Sequence, residues 1–181
     1  LSNGTVAGTG FTSTDSDGAG PIGSQVALVN VAGTLNLGTG TIAGAPSGAS
    51  IIVSNGSVNL TYDGAINNTG ASAAVNVSAH TGSVTVNGAI TDNSGLGFEF
   101  DNADGTYNIA HNGTSSVGSA TFNNVTSAVA ISSGSDGDFN FGTGTAIQTA
   151  TATNFIVIGG DGNINYHGTI VDDQGRLISI D

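Results

Sequence analysis

The sequence predicts an all-β chain: a single-domain parallel β-helix, or β-solenoid, of about seven coils with a period of about 23–32 residues. Three observations predict it: a composition made for short strands and turns, a glycine-led motif that recurs along the whole chain, and an apolar segment before nearly every copy of it. Of the 181 residues 30 are Gly, and Thr, Asn, Ser and Val are abundant, the residues of strands joined by tight turns. Met and Lys are absent and Glu99 is the one Glu, so the long side chains that favour helices are scarce. Apolar residues make up 38% of the chain, too many for a disordered polar tract.

The recurring motif is Gly-x-φ-x-φ, with φ apolar, followed six to eight residues on by a second Gly. It begins at Gly4, Gly33, Gly56, Gly82, Gly105, Gly137 and Gly162, at spacings of 29, 23, 26, 23, 32 and 25 residues. The preceding apolar segments are Val26 to Val31, Ile51 to Val53, Val75 to Val77, Phe98 to Phe100, Val129 to Ile131 and Phe155 to Ile158, one before each copy but the first, and Leu177 to Ile180 is the like segment after the last copy. One period therefore holds a strand, a turn, a second strand, another turn and a shorter third strand, which is one coil of a solenoid. An antiparallel sandwich also has short strands and frequent turns, but it would not repeat one motif from end to end.

Alternate residues of a strand face opposite ways, so Leu35 and Leu37, Val58 and Leu60, and Val84 and Val86 should point inward as pairs. Tyr107 and Ile109, Phe139 and Phe141, and Ile164 and Tyr166 extend these columns. Between each pair stands one polar residue: Asn36, Asn59, Thr85, Asn108, Asn140 or Asn165. Stacked at the strand spacing of about 4.8 Å, these side chains should form a hydrogen-bonded ladder up one face. The same face would offer amides and hydroxyls to a glycan.

The charge pattern excludes several functions. Arg176 is the only cation among Lys and Arg, and the net charge is -12, so there is no basic patch for nucleic acid or for an anionic membrane surface. No apolar run reaches bilayer-spanning length, and there is no Cys. No catalytic residues are assigned. Asp63, Asp92, Asp172 and Asp173 could share an edge, but polar turn decoration accounts for them. His80, His111 and His167 lie in different coils without the spacing of a zinc site. No cofactor is required. Calcium is the one candidate, because Asp15 with Asp17, Asp101 with Asp104, and Asp136 with Asp138 put paired carboxylates on Gly-containing turns.

The iterated GSVTVNGAI and GTLNLGTGTI segments resemble the passenger β-helices of bacterial autotransporters and filamentous-haemagglutinin-type adhesins. DNADGTYNI, from Asp101 to Ile109, is instead similar to a segment of repeated bacterial adhesin modules of the immunoglobulin-like, antiparallel-sandwich kind, the rival fold that an end-to-end repeat argues against. The resemblance implies a secreted or cell-surface rod, non-enzymatic, that serves as stalk, filament subunit or binding face for a carbohydrate or cell-surface ligand. The alternative is a fragment of a polysaccharide-active β-helix enzyme, a lyase or glycoside hydrolase. Residues 1–181 are expected to be one solenoid domain, cut from a longer repeat protein or able to self-associate through its ends.

Overall fold

A computed structural model describes residues 1–7, 10–17, 23–110, 120–125, 127–171 and 175–181. Among these residues every element is a strand. The chain opens with β1 (Ser2–Val6), then β2 (Val26–Asn36), β3 (Thr41–Gly44), β4 (Ile51–Tyr62) and β5 (Ala65–Asn68). Two coils of three strands follow: β6 (Val75–His80), β7 (Ser83–Val86) and β8 (Ile90–Asp92), then β9 (Phe98–Ala103), β10 (Thr106–Ile109) and β11 (Ala120–Val125). The last are β12 (Val129–Ser132), β13 (Asp138–Phe141), β14 (Thr145–Ala150), β15 (Thr153–Val157), β16 (Asn163–Tyr166), β17 (Thr169–Ile170) and β18 (Arg176–Ile180).

Every strand pairs in parallel with its counterpart one coil away, as in Val26 with Ile51, Ile51 with Val75, Val75 with Phe98 and Phe98 with Val129. The strands form a 12-stranded sheet, which covers two faces, and a 6-stranded sheet, which covers the third. The protein is therefore a parallel β-solenoid of about six turns, close to the seven coils expected. The extra length of the longest period falls between β10 and β11, which still pair in register with β7 and β8 of the coil before.

The core fills the interior of the coil. Leu35, Leu60, Val84, Tyr107, Phe139 and Ile164 form one inward column on the second face. On the first face Leu28, Val53, Val77, Phe100 and Ile131 form another, each at most 3% exposed. Burying each such side chain contributes about 1.5–3 kcal/mol. The filling changes along the axis: Leu, Val and Ile dominate the early coils and aromatic rings the later ones. Phe98 meets Phe122 edge-on at 4.9 Å between centroids, and Phe100 meets Phe139 likewise at 5.0 Å.

The corner between the first and second faces is built by one backbone conformation repeated in every coil. Asn3, Asn30, Asn55, Ala79, Asn102, Ser133 and Gly159 stack there, all with positive φ between 48° and 71°. Asn tolerates the left-handed region better than most residues, which accounts for four of the seven. The Asn30 amide donates to Asn3 Oδ1 at 2.9 Å. Ala79 lacks this tolerance, so Ala79→Asn should stabilise the protein by about 1 kcal/mol and raise the melting temperature by about 2–4 °C. An unchanged or lower melting temperature would count against the strain at this corner.

Register is where the structure corrects the sequence reading. Gly33 pairs with Val58, not with Gly56, and Leu35 pairs with Leu60, not with Val58. The lead glycines divide between two columns. Gly33, Gly82, Gly105, Gly137 and Gly162 share one with Val6 and Val58, whereas Gly4 and Gly56 share the other with Val31, His80 and Ala103. The expected motif alignment was thus two residues out at the first and third coils. A two-residue slip leaves inward residues inward, so the alternation of apolar and polar residues cannot detect it.

Candidate functional site

The outward side of the second face is polar. One outward column runs Asn36, Thr61, Thr85, Asn108, Asn140 and Asn165, and the neighbouring one runs Thr34, Asn59, Ser83, Thr106, Asp138 and Asn163. This column carries the polar residues expected there with one change: Thr61 stands where Asn59 was expected, because of the register slip. Asn59 is exposed in the second column, where its Oδ1 accepts from the Ser83 hydroxyl at 3.0 Å and from the Ser83 N–H at 3.1 Å.

The ladder is hydrogen-bonded over its later half. Asn165 donates to Asn140 Oδ1 at 2.9 Å, Asn140 to Asn108 Oδ1 at 3.1 Å, and Asn108 to Thr85 Oγ1 at 3.2 Å. Asn108 and Asn140 each use one N–H and the oxygen on neighbours along the axis and keep a second N–H for solvent or a ligand. Asn36 behaves differently: its Oδ1 accepts the Gly38 N–H at 2.7 Å and closes its own turn.

Beside this face lies an open groove of about 290 Å³. Its floor is the glycine column: a Cβ on Gly105 would stand 1.8 Å from the Gly82 carbonyl oxygen, and one on Gly137 would stand 2.4 Å from that of Gly105. Asp104, Asp136 and Asp138 line it. Asp104 Oδ1 accepts the Asp136 N–H at 3.1 Å, and Asp136 Oδ1 accepts the Asp161 N–H at 2.7 Å, so each carboxylate ties down the backbone one coil on. Asp138 Oδ1 accepts from the Asn163 amide at 2.9 Å.

The paired carboxylates proposed for calcium fall in three places. Asp136 and Asp138 do share the groove, joined by Asp104 from the coil before. Asp101 does not line it; it belongs to β9, in an outward column with Ser78 and Ser132. Asp15 and Asp17 line a separate hollow near the first coil. The Ser13 hydroxyl (2.6 Å) and the Thr41 N–H (2.9 Å) bond to the exposed Asp15 carboxylate and hold it below the usual carboxylate range. Among the described residues no three His, Cys, Asp or Glu side chains are grouped to hold a metal ion.

The other acidic residues are placed apart. Asp63 is exposed and accepts from Asn87 at 2.7 Å. Asp92 is fully buried, its carboxylate cradled by the N–H groups of Ser94, Gly95 and Gly97 and by the Asn68 amide. These donors use Asp92 to fold the turn after β8. Asp172, Asp173 and His111 lie outside the described residues. His167 is exposed, whereas His80 is completely buried.

Sequence reasoning missed Asp161 as the third step of the Asp104–Asp136 series. A signal existed, since Asp-Gly stands at the lead glycine in three successive coils, at Asp104, Asp136 and Asp161. It also missed the positive-φ corner, for which Asn at 3, 30, 55 and 102 was the available sign. No protein-family model, curated protein or solved structure matches this chain.

Proposed function

We propose that the chain is a non-enzymatic structural and adhesive rod of a secreted or surface-exposed bacterial protein, of the autotransporter or filamentous-haemagglutinin type, and that its second face is a glycan- or cell-contacting surface. The observation that carries this reading is that face itself: two outward columns over six coils, all Asn, Thr or Ser except Asp138 and spaced by the strand repeat. A regular array of donors and acceptors suits a hydroxyl-rich polymer, and the lack of cations disfavours an anionic one. Pull-down on insoluble neutral polysaccharides, together with a glycan array, tests it. Binding that drops at least tenfold in Thr85→Lys and Asn140→Lys variants is expected; binding indifferent to both would overturn the assignment of the face.

A second reading, a polysaccharide-active enzyme, draws on the gathering of Asp104, Asp136 and Asp138 in one groove. Release of reducing ends or unsaturated products, abolished by Asp136→Asn, would favour it over the first.

Stacking through the ends is the remaining part of the proposal. The exposed large apolar side chains among the described residues lie toward the two ends of the stack: Leu1, Phe11 and Val29 at one, Ile158, Val171, Leu177, Ile178 and Ile180 at the other. Together with the open edges of β1 and β18, they favour end-to-end contact with a second copy of the chain.

A further inference from the structure

We infer that His80 is an acid-sensitive latch that pins three successive coils together and loosens them when its ring takes up a second proton. His80 ends β6 with no exposed surface, stacked between Gly56 of the coil before and Ala103 of the coil after. Its Nε2 lies 3.0 Å from the Val58 carbonyl oxygen, which can only accept, so Nε2 carries the proton of the neutral ring. Nδ1 faces the Tyr107 hydroxyl oxygen at 3.3 Å. That hydroxyl donates its proton to the His80 carbonyl oxygen at 2.8 Å and accepts the Gly105 N–H at 3.1 Å. His80 thus reaches Val58 in the third coil through its ring and Tyr107 in the fifth through its carbonyl oxygen, while Nδ1 of the neutral ring is buried against the Tyr107 oxygen with no proton between them; Tyr107 in turn holds Gly105, part of the groove floor.

The surroundings leave a charged ring poorly compensated. β4 presents backbone to it, with no ionisable side chain before Tyr62. On β6 His80 is the only ionisable residue. Ala103 is its neighbour on β9, whose acidic residues are Glu99, held by the Asn76 amide, and the exposed Asp101. On β10 the contact is Tyr107, whose phenol burial pushes up to about 12 and so keeps neutral. Asp104, on the turn between them, is exposed; its charge reaches the Tyr107 hydroxyl. A second proton on Nδ1 would find the remaining lone pair of Tyr107, one hydrogen bond against the cost of a buried cation. Burial wins and holds the imidazole below its ordinary value, opposed by the bond to Val58.

The unfolded chain then binds the proton first. Stability is full above about pH 6.5 and falls as the pH drops from there toward the folded value, by about tenfold in the folding constant per pH unit. The experiment compares melting temperatures at pH 7.5 and 5.0 for the wild type, His80→Gln and His167→Gln, with amide exchange at both pH values. The wild type and His167→Gln should lose more stability on acidification than His80→Gln, and exchange should quicken first in β4, β6 and β10. Equal losses in all three proteins would overturn the latch. If His80→Gln does not fold, the imidazole titration of His80 in the wild type decides: a midpoint below 6.5 supports the latch and one at or above it refutes it.

Discussion

Phe100→Ala is expected to destabilise the protein by about 3–5 kcal/mol, the range for removing a buried aromatic side chain. Phe100 is 1% exposed, and its ring centroid lies 5.1 Å from that of Tyr107, 5.0 Å from that of Phe139 and 6.4 Å from that of Phe141. Truncation therefore removes several aromatic contacts together with the burial, and the stacked strands on either side cannot move inward to close the space. A melting temperature lower by on the order of 10 °C should follow. Because each coil contacts only its neighbours, loss of exchange protection should centre on the fourth to sixth coils. Phe11→Ala is the control: Phe11 is 57% exposed, and its removal should leave the melting temperature nearly unchanged. Equal effects from the two variants would contradict the packing described.

The second large effect is expected at Gly105. A Cβ there would lie 1.8 Å from the Gly82 carbonyl oxygen, in the adjacent coil, and neither backbone can retreat without breaking the ladder between β7 and β10. Gly105→Ala should cost about 3 kcal/mol or more, at or beyond the upper end of ordinary overpacking. Gly4→Ala gives the comparison, since a Cβ at Gly4 meets nothing within 4 Å; its effect should stay within about 0.5 kcal/mol. Denaturant titration of both variants measures the difference. A mild Gly105→Ala would mean that the coils are not in the close approach that forms the groove floor.

Much of this architecture is legible in the chain itself. Period-two alternation identifies which side chains of each strand face inward, so Leu35, Leu60, Val84, Tyr107 and Phe139 were all read as core, and all are at most 2% exposed. Repetition of the motif implies stacked coils, because no single coil can bury its own apolar face. The polar face between those core residues follows from the same alternation.

What stacks on what was decided only by the tertiary structure. Shifting a strand by two residues changes neither its inward set nor its outward set, so Asn59 and Thr61 are equally good ladder members on the pattern alone. The choice falls to Thr61 because β4 turns its corner at Asn55, in line with Asn30 before it and Ala79 after it. The groove is likewise a product of stacking: Asp104, Asp136 and Asp161 are 32 and 25 residues apart in the chain and become neighbours only when the coils close on one another. His80 gives the sharpest case. As one polar residue beside a turn it reads as exposed, yet the strand continues far enough to carry its ring under Tyr107, and burial follows from the coil above it. Which way each side chain faces is a local property of the extended backbone and can be read from the alternation of residues. Which side chains meet across coils is not local, because it depends on the length and path of every connection between them.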